Sequence, residues 1–197
     1  MTTTRLEAFS DGVIAILITI MVLELRMPDG AVTWQAIRES GVIQKLLSYI
    51  LSFVYLGIYW TNHHHMLQVT QRVNGKILWA NLHLLFWLSL VPFTTAWLGS
   101  NYRHPIPTAV YGIVLVLAGQ AYTILQRAII QMQGPNSPLA AAVGRDRKGL
   151  ISRLIYLTGI ALAFVFPLLA DLMYVTVALM WLVPDRRIES RLREEAH

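Results

Sequence analysis

Residues 5–25 read RLEAFSDGVIAILITIMVLEL, and the reading of this stretch decides the fold. From Ala8 to Leu25 it is long and apolar enough to cross a bilayer, yet it opens on Ser10 and Asp11 and ends on Glu24. A carboxylate at the edge of hydrocarbon costs a few kcal/mol, so a membrane protein keeps one for a partner or a task. The first apolar run carries Asp11 and lacks a small-residue cleavage site, so it reads as a retained first span and not as a secretory signal.

The rest of the chain favours the same solvent. Of 197 residues, 55% are hydrophobic and 14% charged, and the mean hydropathy is +0.52. A water-soluble domain of this length could not hide that much apolar surface, so lipid is its natural surrounding. With no cysteine, disulfides, thiolate metal sites, haem attachment and cysteine nucleophiles are excluded. The net charge of +5 would suit nucleic acid only if it were clustered on one surface. It lies instead in short segments between apolar runs, where basic residues set membrane orientation, and no nucleic-acid partner is expected.

Six apolar segments can be marked, at about 6–25, 42–61, 77–98, 108–130, 150–166 and 168–183. The predicted fold is a single all-α integral membrane domain over residues 1–197 with six transmembrane helices. The last two segments form one run broken by Pro167 and Asp171. As one helix it would extend about 50 Å against a hydrocarbon core of about 30 Å, so a hairpin turning at Pro167–Asp171 fits better than a single tilted helix. Pro92 should kink the third span, Gly112 and Gly119 allow close helix contact in the fourth, and residues 134–149 read as a loop. Trp60, Trp79, Trp97 and Trp181 fall near span ends, as interfacial anchors do.

With six spans, one side collects Arg5, Arg72, Lys76, Arg127, Arg145, Arg147, Lys148, Arg153, Arg186, Arg187, Arg191 and Arg193, which is 12 of the 16 basic residues. The other side holds Arg26, Arg38, Lys45 and Arg103. That asymmetry places both termini in the cytoplasm.

On a helix at about 100° per residue, Phe9, Gly12, Val13, Ile16, Ile20, Leu23 and Met27 share one face. Ser10 and Asp11 lie on the far side, while Thr19 and Glu24 flank the stripe. Periodicity alone does not say whether this face meets lipid, a protein core or a pore, because nearly every residue in the stretch is apolar.

The pattern R-x-x-x-F-S-D-G-V-x-A-I-x-x-T, carried by Arg5, Phe9, Ser10, Asp11, Gly12, Val13, Ala15, Ile16 and Thr19, resembles the signature of a known family. That family contains the lysosomal potassium channel, transmembrane protein 175, and its prokaryotic homologues. WTNHHHM (60–66) is similar to the end of the family's second span, and NLHLLFWLSLVPFTT (81–95) looks like its third. The resemblance implies a potassium-selective cation channel without a carbonyl filter, and no T-V-G-Y-G occurs here. It implies a homotetramer in a prokaryotic plasma membrane, with the first helix of each subunit lining a central pore. It implies a hydrophobic gate at Ile16, with Thr19 beside it and Ile20 and Leu23 as the next pore-facing turns. It also implies a structural network joining the signature to the second span, through Arg5, Phe9, Ser10, Asp11, Trp60, His63 and His64. Asn81 is added to this network on the residues themselves.

The partners expected are a second copy of the chain, lipid and K⁺, with no cofactor, no metal and no chemical turnover. A ring of Glu24 carboxylates would concentrate cations at the pore mouth, unless each pairs with Arg26. Two other functions compete. His63, His64 and His65 cannot converge on one ion from a single helix, but His64 with His83 on a neighbouring span could ligate a metal or haem in a redox protein. Asp11 could serve as the relay of a proton-coupled transporter.

Overall fold

The computed structural model describes residues 2–26, 33–144 and 146–182, and each regular element among them is a helix. Thr2 opens α1 (Thr3–Ile20) by accepting the Arg5 amide on its side chain, and the helix tightens into a 3-10 turn over Met21–Glu24. The Thr33 hydroxyl caps the short α2 (Trp34–Glu39) in the same way. Gly41 then turns the chain at φ 72°, a left-handed value that costs glycine little, into α3 (Val42–Gln68). Asn74 caps α4 (Gly75–Ser89), which is followed after Leu90 by α5 (Val91–Ser100). The remaining helices are α6 (Pro105–Gln133), α7 (Pro138–Val143), α8 (Arg147–Ala163) and α9 (Pro167–Leu182). Pro105, Pro138 and Pro167 each stand at a first helical position, where a missing N–H costs nothing.

Four stretches are long and apolar enough to cross a membrane: Thr3–Glu24, Val42–Gln68, Gly75–Ser100 and Pro105–Gln133. The third is interrupted at Leu90, because Pro92 cannot donate to the carbonyl four residues back. Helices α8 and α9 have 17 and 16 residues, about 25 Å each, slightly less than a hydrocarbon core. They turn at 164–166, so Asp171 is not at the bend as expected but inside α9. Pro167 suffices to start the helix, and the chain has already reversed before Asp171 is reached. The 134–149 segment is likewise not all loop, since Ser137 caps α7 and Asp146 caps α8 within it. Met27, Arg145, the last residue of the 168–183 segment and the arginine-rich tail beyond it lie outside the described residues.

Two cores hold the helices together. In the first, Ile14 and Leu17 of α1 and Met21 of the 3-10 turn pack with Leu56 of α3, Leu84 and Leu88 of α4 and Leu125 of α6. The second is aromatic, built from Tyr55, Tyr111, Tyr156 and Tyr174 with Ala163 and Ala170. Tyr174 fits only because Gly112 and Gly159 leave a notch, and a Cβ on either would strike its ring. The hydroxyls are satisfied inside this core, with Tyr55 donating to the Tyr174 carbonyl and Ser52 bonded to Tyr111 at 2.9 Å. The outer faces of α8 and α9 expose Leu150, Leu154, Leu157, Leu168, Leu172 and Leu179. Such a surface belongs against hydrocarbon, not water.

Candidate functional site

Helix α1 and the 3-10 turn that continues it present one buried and one exposed face. Leu6, Ser10, Ile14, Leu17 and Met21 are buried, and their spacing of three or four residues keeps them on one side, turned to α3 and α4. On the other side the chain leaves large apolar groups uncovered: Phe9 is 49% exposed, Ile16 59%, Ile20 40% and Leu23 66%. At Gly12 even an added Cβ would meet nothing within 4 Å. Thr19 flanks the stripe, and its hydroxyl donates to the carbonyls of Ala15 at 3.0 Å and Ile16 at 2.9 Å. The proton is held on the helix itself, so the oxygen lone pairs remain for an outside ligand. Glu24 is exposed at the far end, and no ion pair joins it to Arg26 among the described residues.

Behind the stripe runs a buried polar relay. The Ser10 hydroxyl donates to the Leu6 carbonyl at 2.9 Å and accepts from Asn81 Nδ2 at 2.9 Å. Asn81 Oδ1 therefore faces His63 Nε2, 2.7 Å away. The amide orientation fixes the tautomer: His63 must carry its proton on Nε2. Ser10, His63 and Asn81 are each fully buried, so the three side chains tie α1, α3 and α4 together at one point. His63 Nδ1 has no hydrogen-bond partner among the described residues.

A second, half-exposed set joins α1 to α3. Trp60 Nε1 donates to Asp11 Oδ1 at 3.0 Å, and the His64 ring stacks on that indole at 6.1 Å. His64 Nδ1 lies 2.7 Å from Glu7 Oε1, and its Nε2 lies 2.8 Å from Gln68 Nε2. A neutral imidazole donating to Glu7 and accepting from Gln68 satisfies both contacts. Glu7 and Gln68 did not stand out in the sequence. The signal was there in the spacing: Glu7 and Asp11 are four apart on α1, as are Trp60 and His64 on the antiparallel α3, so the pairs meet rung by rung.

The remaining residues expected in this network sit elsewhere. Arg5 is exposed in the first turn, and its guanidinium has no hydrogen bond or ion pair among the described residues. Phe9 belongs to the exposed stripe. His65 lies with its ring 5.9 Å from that of His64, and His83 Nε2 accepts from Trp87 Nε1 at 2.9 Å. The histidines are thus drawn to different neighbours, and no three His, Cys, Asp or Glu side chains gather in metal-binding geometry among the described residues.

The site combines a helix tied to α3 and α4 with an apolar face that none of the described residues covers, bordered by one hydroxyl and one carboxylate. The chain is similar to several known proteins. The sequence profile of the family described as endosomal/lysosomal potassium channel TMEM175 matches residues 5–92. A potassium channel of Chryseobacterium sp. (strain P1-3) is 52% identical over 194 residues, covering 98% of this chain and 100% of that protein. The endosomal/lysosomal proton channel TMEM175 of Danio rerio is 25% identical over 137 residues, 68% of this chain and 25% of its own length. Among solved structures, the crystal structure of a lysosomal potassium-selective channel TMEM175 homolog from Chamaesiphon minutus superposes with a TM-score of 0.74. Its identity is 25%, over 93% of this chain and 97% of that one.

Proposed function

This chain belongs to the TMEM175 family, and from that premise we propose that it is a passive, potassium-selective cation channel working as a homotetramer without a cofactor. Each subunit contributes six spans, formed by α1, α3, α4 with α5, α6, α8 and α9, with both termini in the cytoplasm. The observation that carries this reading is the bare apolar stripe of α1, on a helix whose other side is fully engaged. Four copies about an axis would cover that stripe and enclose a path.

Ile16 forms the narrowest ring, followed by Ile20 and Leu23. A ring of four branched apolar side chains is poorly wetted and acts as a hydrophobic gate. It offers an ion no carbonyl cage, so passage requires loss of hydration water. K⁺ is larger and binds its water less tightly than Na⁺, so it crosses at lower cost. The Thr19 oxygens beside the ring return part of the lost coordination, and Glu24 at the outer mouth raises the local cation concentration. Ser10, Asn81 and His63 act one step removed, by holding α1 against α3 and α4.

The test is a bi-ionic reversal potential, K⁺ against Na⁺, on the purified protein in planar bilayers, with Ile16→Asn measured beside it. The expected result is a K⁺-selective wild type and a variant with higher conductance and a reversal potential closer to zero. A conducting wild type in which Ile16→Asn alters neither property would remove Ile16 from the path.

A further inference from the structure

On the side of the subunit that α1 does not line, a partly open groove runs between α3, α6, α8 and α9, with about 680 Å³ of free space when the part open to the surroundings is counted. Its walls are mostly apolar and aromatic, with Tyr59, Tyr122, Tyr156 and Trp181 along its length. The mouth is different. There Asp146 and Gly149 line it at the start of α8, and Arg153, two turns along, leans its side chain back to the Gly149 carbonyl, while Tyr156 lies about 15 Å beyond Asp146 along that helix. A charged end at the helix start and a greasy body one to three turns deeper matches the change from headgroup to acyl chain across one leaflet.

The charges at the mouth favour an anion. Asp146 is already occupied as the cap of α8, accepting the Gly149 amide at 2.8 Å. Arg153 gives its Nε–H to the Gly149 carbonyl at 3.2 Å, but its Nη2 is 3.9 Å from Asp146 Oδ2, too far for a hydrogen bond. Its outer N–H groups thus keep donor capacity at the rim. The Lys148 ammonium stands 4.7 Å over the Trp181 ring, beside the same opening.

We propose that this groove binds an anionic phospholipid, with one acyl chain among the aromatic rings and the phosphate held by Arg153 with Lys148 alongside. The choice of a phospholipid over a soluble phosphate follows from the walls, which would leave a free anion with apolar surface and no chain to cover it. The position follows from the helix direction, since the start of α8 lies on the side rich in Arg127, Arg147 and Lys148. This site rests on the membrane reading of the chain but not on where the pore runs.

Native mass spectrometry of the delipidated full chain in mild detergent tests it. Phosphatidylglycerol, phosphatidylcholine with the same chains, and glycerol 3-phosphate are titrated in turn. The expected result is preferential retention of phosphatidylglycerol, with no saturable binding of glycerol 3-phosphate. Arg153→Gln should weaken phosphatidylglycerol about fivefold, and Asp146→Asn, which keeps a capping oxygen but removes the opposing charge, should tighten it by a similar factor. Gly119→Leu is the packing control. A Cβ there makes only ordinary contact with the Tyr59 hydroxyl at 3.6 Å, so the backbone accepts a side chain at 119 and the remaining leucine carbons project from a lining position of the groove. This variant should abolish retention at unchanged helix content. Equal binding of the two lipids, saturable binding of glycerol 3-phosphate, or full affinity in Arg153→Gln or Gly119→Leu would each overturn the proposal.

Discussion

The two faces of α1 are both largely apolar, and they differ in what interrupts them. The side turned into the protein carries Ser10 and a chain of hydrogen bonds to Asn81 and His63, whereas the side left open carries Phe9, Ile16, Ile20 and Leu23. Lipid is as apolar as leucine, so packing grease inward gains little in a bilayer, and polar links between helices give the direction that apolar contact cannot. An inward hydrogen bond says which way the helix is rotated. In the proposed channel, the inner face holds the helix in place and the open face sets what passes.

Substitutions on the inner face should therefore change stability and leave ion preference alone, and those on the outer face should do the reverse. Asn81→Leu should have the largest effect, about 1–3 kcal/mol, since it strands the buried His63 Nε2–H and removes the donor to the Ser10 oxygen, leaving Ser10 only its bond to the Leu6 carbonyl. A fall in the thermal midpoint of the detergent-solubilised protein measures it, with the reversal potential of any protein that still reconstitutes unchanged. Trp60→Phe keeps the ring stacked on His64 but loses the N–H to Asp11, and should cost about 0.5–1 kcal/mol by the same assay. A still smaller change is expected from Glu24→Gln on the outer side. It should lower the K⁺ current about twofold in dilute salt and leave it unaltered near 1 M, where the Debye length is about 3 Å. A loss of thermal stability in Glu24→Gln as large as that in Trp60→Phe would break the division between the faces.

The sequence made some of these features visible and hid others, for physical reasons. Length and apolarity reveal four membrane-crossing stretches directly, and Pro92 announces the break before α5 because proline lacks the N–H a continuous helix requires. The stripe on α1 was visible only as a set of positions. In a stretch where almost every residue is apolar, periodicity cannot say which face meets lipid and which meets protein, and the R-x-x-x-F-S-D resemblance had to supply the distinction. Asn81 could be singled out because an amide in a span needs a partner. Glu7 could not, because a carboxylate in the first turn near a membrane edge looks solvated until His64 is seen beside it. Helices α2 and α7 are too short to carry an apolar period, and neither was expected; the structure shows them capped by Thr33 and Ser137. The lipid-facing sides of α8 and α9 and the tyrosine core between them are equally apolar in sequence. The notch at Gly112 and Gly159 that receives Tyr174 is a property of three helices at once.

The chain has no cysteine, so single cysteines can be placed on either face of α1 without removing a native thiol. Recording K⁺ current while silver ions are applied tests most directly whether the open stripe lines the ion path. Block is predicted at Ile16→Cys, Ile20→Cys and Leu23→Cys, with none at Ile14→Cys or Leu17→Cys on the buried face. Silver block at the buried positions, with the three stripe positions insensitive, would contradict the account.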